Sequence, residues 1–219
     1  MSEAGLIRYK ADYRTIATVI AYAAFYPISW VLFAKVDWVG KVALALIHCN
    51  WQYIISTIIH NTIHVPIFRS MAWNKAFQFL LSGIKGNPVS GYVPGHNLSH
   101  HKHMQTDYDP TRTTRARFGW NLINQSVFFF LCMFDIMKSE KAFVKRMKDV
   151  KPGWAKQYKR EAMLVGSIKL ILLIVDWQRM LLLVFLPNMY SLWGIFGTNY
   201  WQHDGCDEEH PYNHSRSFT

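Results

Sequence analysis

Histidines at short, regular spacings are the residues of this sequence best suited to chemistry. His60 and His64 are four residues apart, as are His96 and His100, and His101 follows directly. On a helix, residues four apart share one face, so each pair can bind one metal ion, while His101 points about 100° away and can reach a second. Neutral imidazole binds iron, zinc, copper or nickel. The spacing therefore predicts a metal site without selecting the metal.

Asn199 and His203 form a third group, again four residues apart, at the end of the last apolar segment. His48 and His103 stand outside the groups, and an ordinary interfacial or hydrogen-bonded role is expected for them. The three cysteines are far apart and have no CxxC spacing. They predict neither a disulfide framework nor a structural zinc site or thiolate cluster.

Long apolar segments must position these groups. Residues 15–34 carry no charge and residues 38–59 carry only one lysine, and each segment is long enough to cross ~30 Å of hydrocarbon as a helix. Residues 162–175 and 180–200 are again apolar, parted by a short polar stretch. Half of the residues are hydrophobic (51%), yet the formal net charge is +10. This predicts an all-α integral membrane protein with four transmembrane helices in two hairpins.

The central block between the hairpins carries the first two histidine groups and is too polar to span. Its segments 76–84 and 127–137 are apolar enough to lie in the membrane interface. Of the 24 lysines and arginines, 20 fall on one side of the four predicted crossings. Cytoplasmic loops accumulate such residues, so both termini and the histidine groups are expected in the cytoplasm. No cleaved signal peptide is apparent, and the first helix is expected to serve for targeting.

The histidine groups resemble a known arrangement. The segments HNTIH (60–64) and HNLSHH (96–101) look like the first and second histidine boxes of the membrane fatty acid desaturase and hydroxylase superfamily. The dipeptide Asp109-Pro110 and the segment NYWQHDG (199–205) are similar to segments found at those places in desaturases and in related alkane monooxygenases. The resemblance covers nearly the whole chain, including the helical histidine-box region between two membrane hairpins.

This resemblance implies a centre of two iron ions (Fe) that activates O2. The implied iron ligands are His60, His64, His96, His100, His101 and His203, and Asn199 would hold a metal-bound water. Electrons would come from a separate carrier such as cytochrome b5 or a ferredoxin. The implied substrate is the acyl chain of a lipid, from which hydrogen is abstracted, in a bacterial inner membrane or the endoplasmic reticulum. No nucleic-acid partner is expected.

Several functions stay open at this point. An acyl-lipid desaturase is the leading hypothesis, and a hydroxylase or alkane-type monooxygenase of the same superfamily is close, because both reactions begin with hydrogen abstraction. A metal transporter would instead place ionisable ligands inside the bilayer, whereas the histidine groups lie at or beyond the membrane ends. An inactive lipid-binding pseudoenzyme is the remaining alternative, and bound iron separates it from the enzymes.

The sequence departs from the superfamily pattern near its C-terminus. A further box, HxxHH or QxxHH, is expected downstream of His203 and does not occur before Thr219. His210 and His214 are the available substitutes, but Pro211 disfavours a helix that would continue from His210. The expectation is a single desaturase-like domain over residues 1–219 that is C-terminally incomplete and binds iron substoichiometrically.

A run of basic residues follows the apolar segment 127–137. Two interpretations stay open for this run: it docks an acidic electron carrier, or it marks the cytoplasmic side and attracts anionic lipid. The run consists of Lys138, Lys141, Lys145, Arg146, Lys148 and Lys151.

Overall fold

The computed structural model describes residues 5–92, 106–117, 121–206 and Ser215. Within these residues the chain is helical, and strand-like pairing is limited there to an isolated bridge between Ile7 and Phe68. The all-α prediction is thus confirmed for this part of the chain. Its helices are α1 (Asp12–Leu32), α2 (Trp38–His64), α3 (Met71–Lys85), α4 (Asn121–Val150), α5 (Pro152–Val175) and α6 (Trp177–His203).

Helices α1, α2 and α6 are long and apolar enough to cross a membrane. They contain 21, 27 and 27 residues, whereas about 20 apolar residues cover the hydrocarbon core. The predicted apolar segment 15–34 falls largely within α1, segment 38–59 lies within α2, and segment 180–200 lies within α6. The chain is therefore an integral membrane protein.

The predicted fourth crossing, residues 162–175, is the C-terminal part of α5. Helix α5 has 24 residues and is long enough to span, but it is not among the described helices that are apolar enough to cross a membrane. Its apolar part is too short because the preceding residues of the helix are charged, namely Lys156, Lys159, Arg160 and Glu161. Four crossings, two membrane hairpins and a cytoplasmic location of both termini stay predictions.

The connection between α1 and α2 is specified locally. The Asp37 side chain caps α2 by accepting a hydrogen bond of 2.8 Å from the backbone N–H of Gly40. A Cβ atom at Gly40 would lie 2.6 Å from Cβ of Val36, so only glycine fits this turn. Phe33 and Leu44, on either side of the turn, form a buried cluster with Leu183 of α6.

Helix α6 is wound irregularly near its start. Asp176 caps it by accepting a hydrogen bond from the N–H of Arg179, and residues Met180–Phe185 then form a π-helical turn. Pro187 follows, and a proline lacks the N–H and crowds the carbonyl four residues earlier. The wider π turn relieves this crowding.

Residue contacts divide the chain into two compact units. The first comprises Met1–Ser90 with Gln157–Ser191, and the second comprises Gly91–Lys156 with Leu192–Thr219. In the second unit, Phe128 and Cys132 of α4 form a buried cluster with Ala116 and with Tyr200 of α6. The assignment of the whole chain to one desaturase-like domain stays a prediction.

Candidate metal centre

His60 and His64 lie on the last turn of α2, in the first unit. Their ring centroids are 5.0 Å apart and the rings meet edge to face at 70°. The helix ends at His64 because Val65 is extended and precedes Pro66. Both imidazoles therefore project from one face at the end of a membrane-spanning helix, as their spacing predicts.

The separation of the two rings suits a shared metal ion. With a metal–nitrogen bond of about 2.1 Å, two imidazoles that subtend roughly 90–110° at one metal have centroids roughly 4.6–5.3 Å apart. The observed 5.0 Å lies within this interval. The chemistry of the donor pair fits iron as well as other borderline metals.

Asn61 orients the first of these imidazoles. Nδ1 of His60 donates a hydrogen bond to Oδ1 of Asn61 over 3.3 Å, because a carboxamide oxygen only accepts. In the neutral ring this contact places the proton on Nδ1. Such a second contact determines the tautomer of a ligating histidine.

Asn199 and His203 lie on the last turn of α6, in the second unit, and His203 is buried. Nδ2 of Asn199 is a buried nitrogen that has no hydrogen-bond partner within the described part of the chain. A buried donor without a partner is costly unless a ligand or water completes it. Asn199 therefore fits the predicted role of holding a water beside a metal.

The structure thus pairs His60 with His64, and places Asn199 and His203 one helical turn apart. His96, His100 and His101 lie outside the described residues, as do His103, His210 and His214. Within the described ranges, no group of three or more His, Cys, Asp or Glu side chains is close enough to hold a metal ion. Binding of two iron ions by the full set of predicted ligands stays a prediction.

A buried carboxylate on α5 escaped the sequence reasoning. Glu161 of α5 is fully buried and accepts hydrogen bonds from the N–H of Ser90 (2.9 Å) and from its hydroxyl (2.8 Å). Gln157 donates a third, of 3.0 Å, to the same carboxylate. This contact ties the short 3-10 turn Val89–Gly91 to α5. No sequence signal links Glu161 to Ser90, because 71 residues separate them.

Two further carboxylates organise the chain after the second histidine group. Asp109 is buried and accepts hydrogen bonds from the N–H (2.8 Å) and the hydroxyl (2.7 Å) of Thr111. Arg115 is paired with Asp135 of α4. The hydrogen bond from Arg115, together with its positive charge, lowers the pKa of the Asp135 carboxyl. Asp109 belongs to the Asp-Pro dipeptide noted in the sequence, whereas no sequence signal indicated the Arg115–Asp135 pair.

The chain has a clear family match. A family model described as "Fatty acid desaturase" matches residues 36–219, a range that includes every predicted metal ligand. No curated protein and no solved structure matches the sequence.

Proposed function

The chain belongs to the fatty acid desaturase family, and from this premise we propose that it is an oxygen-dependent di-iron enzyme that desaturates the acyl chains of lipids. Family membership supports a lipid-modifying oxidoreductase in general. The three apolar helices support an enzyme embedded in the phase where acyl chains are found. The choice of desaturation, of two irons and of the ligand set is our proposal.

The observation that carries the proposal is the His60–His64 pair. Two imidazoles 5.0 Å apart at the end of α2, in the segment that resembles the first histidine box, have the separation expected for ligands of one metal. The shared face follows from the four-residue spacing, so the support comes from the ring separation and from the resemblance of the segment.

The residues of the chain have separable tasks in this proposal. His60, His64, His96, His100, His101 and His203 would hold the two irons. Bound iron would supply O2 activation and hydrogen abstraction from an unactivated C–H bond. Asn61 accepts a hydrogen bond from Nδ1 of His60, and Nδ2 of Asn199, which has no partner among the described residues, would orient a water. An all-nitrogen and water environment suits an oxidising reaction, because thiolate ligands would be oxidised.

In this proposal, separate molecules supply the electrons and the substrate. An external carrier such as cytochrome b5 or a ferredoxin would supply the electrons. Lipid acyl chains would reach the site from the bilayer, and both termini with the histidine groups would face the cytoplasm. Hydroxylation remains the second candidate reaction because it starts with the same hydrogen abstraction, and only the position of the substrate carbon separates the two outcomes.

The test combines metal analysis with lipid profiling. We expect cells that express the chain to accumulate lipids with an additional double bond, and the purified protein to contain iron. His60→Ala and His64→Ala should lower both iron content and product, whereas Thr57→Ala, an exposed site one turn earlier on α2, should change neither. Hydroxylated lipids would transfer the assignment to the hydroxylase. Iron and turnover that persist in both histidine variants would refute the site.

A further inference from the structure

Helix α4 presents an uncovered apolar stripe to its surroundings. Ile123, Phe130, Phe134 and Met137 are 43%, 58%, 66% and 45% exposed. Their separations of seven, four and three residues place them on one face of the helix. Phe130, Phe134 and Met137 form an exposed apolar patch about two turns long, and such patches mark interaction surfaces.

The opposite face of α4 packs against the core of its unit. Phe128 and Cys132 are completely buried and pack with Ala116 and Tyr200. The Phe128 ring meets the Tyr200 ring edge to face at 5.3 Å. The orientation of α4 within its unit is thus set by a core on one side, and the stripe on the other side is about half exposed.

The same face continues into a row of exposed lysines. Lys141, Lys145 and Lys148 follow Met137 at separations of four, four and three residues. Neither Asp nor Glu occupies any position of the stripe or of this row. One side of α4 therefore changes from aromatic to cationic along its length, which is the pattern of a helix that lies in a membrane interface.

We propose that α4 lies along the membrane surface, with Phe130 and Phe134 inserted among acyl chains and Lys141, Lys145 and Lys148 against anionic headgroups. The partner is the surface of a bilayer that contains anionic phospholipid. Helix α4 is not one of the helices apolar enough to cross, so it rests on the bilayer instead of spanning it. This inference does not depend on the proposed enzymatic activity.

Two other binding partners would each complement only half of this surface of α4. An acidic electron carrier would complement the three lysines but would leave the aromatic stripe in water. A second copy of the chain would cover the stripe but would leave the lysines without an anionic partner. A bilayer with anionic lipid satisfies both halves, because apolar burial and charge attraction then act on the same helix.

The first experiment measures how deeply three positions of α4 lie in the bilayer. Phe130→Cys, Phe134→Cys and Ala142→Cys, each with Cys206→Ser, carry a nitroxide in full-length protein reconstituted into vesicles of phosphatidylglycerol and phosphatidylcholine. The other cysteines, Cys49 and Cys132, are buried. We expect the labels at positions 130 and 134 to be relaxed by oxygen and shielded from a water-soluble nickel chelate, and the label at 142, about 100° off the stripe, to show the reverse.

Equal nickel accessibility at the three positions would overturn the proposal. The proposal would also fail if the label at position 134 stayed shielded in detergent and disulfides formed between copies of the protein. A second copy of the chain would then cover the stripe.

The second experiment measures lipid preference. Spin-labelled phosphatidylglycerol should associate with the protein more strongly than spin-labelled phosphatidylcholine, because each basic residue at an anionic surface strengthens association by about fivefold. The triple variant Lys141→Glu, Lys145→Glu, Lys148→Glu should lose this preference. The matched Arg triple variant should keep it, since it retains the charge. A preserved preference in the Glu variant, with slower reduction by an acidic carrier, would assign the row to carrier docking and overturn the proposal.

Discussion

The side-chain amine of Lys85, at the end of α3, donates a hydrogen bond of 2.7 Å to the hydroxyl of Ser56 on α2. It also donates to the hydroxyl of Ser191 on α6. Each hydroxyl gives its own proton to a backbone carbonyl, Ser56 to Gln52 (2.9 Å) and Ser191 to Asn188 (2.8 Å). Both hydroxyls therefore act as acceptors toward Lys85, and two N–H groups, which a neutral amine has, are sufficient to join the three helices.

Stability should depend on pH through Lys85. Burial, and secondarily the positive charge of Lys169, lowers the pKa of Lys85 to about 7. The unfolded chain then binds more protons than the folded one between pH 7 and about pH 10.4, so stability rises with pH across this window and the penalty is complete below it. We expect the thermal unfolding temperature in detergent to rise from pH 7 to pH 9.5, and this increment to be smaller in Lys85→Met.

Lys169→Met should reduce the increment only in part, because it removes the secondary cause of the lowered pKa of Lys85 and leaves its burial and its hydrogen bonds in place. An identical pH dependence in wild type and Lys85→Met would show that the lysine does not titrate in this range.

His48 should matter for stability and not for metal. Its Nδ1 lies 3.0 Å from the hydroxyl of Tyr22, and its Nε2 lies 2.7 Å from the hydroxyl of Ser29. Ser29 donates its proton to the carbonyl of Tyr26, so Nε2 donates to Ser29 and Nδ1 accepts from Tyr22. The sequence alone predicts that His48→Ala is nearly silent. Because the ring is fully buried, we now expect a loss of about 2–4 kcal/mol of stability.

The measurement is thermal unfolding together with iron per chain. Tyr22→Phe should cost less, because it leaves no cavity. Unchanged stability of His48→Ala would contradict the hydrogen-bonded role, and lost iron would make His48 a candidate ligand.

His100→Ala and His101→Ala should each abolish lipid modification and lower bound iron. The reason is their position in the second histidine group, where the two rings are expected to reach different metals. Iron per chain in detergent and lipid profiles of expressing cells check this, with Lys102→Ala as the neighbouring control. If both variants keep iron and turnover, the assignment of this group is wrong.

The ion pair of Arg115 and Asp135 should give a small, pH-dependent coupling. Arg115 lowers the pKa of Asp135, so the pair contributes stability above the ordinary aspartate pKa and loses it as the pH falls through the lowered value. Both side chains are partly exposed, and we expect no more than about 1 kcal/mol. A double-mutant cycle with Arg115→Ala and Asp135→Asn at pH 7 and at low pH measures this coupling. Coupling that persists in acid would exclude an electrostatic origin.

Local periodicity determined the features that the sequence predicts well. The helical phase alone brings His60 and His64 to one face, and places Asn199 one turn from His203. Segment length and hydropathy identified the three spanning helices. Each of these features depends on residues only a few positions apart, where backbone geometry determines the neighbours.

Contacts between distant residues were decided only by the tertiary structure. Lys85 and Ser191 are 106 residues apart, and Ser90 and Glu161 are 71 apart, so no spacing rule connects them. The apolar segment 127–137 was visible in the sequence, but which of its side chains are buried depends on the packing of Phe128 against Tyr200. His48 is likewise buried because α1 packs against α2. A polar ring in an apolar interior is stable only when its nitrogens are hydrogen-bonded, and both nitrogens of His48 are.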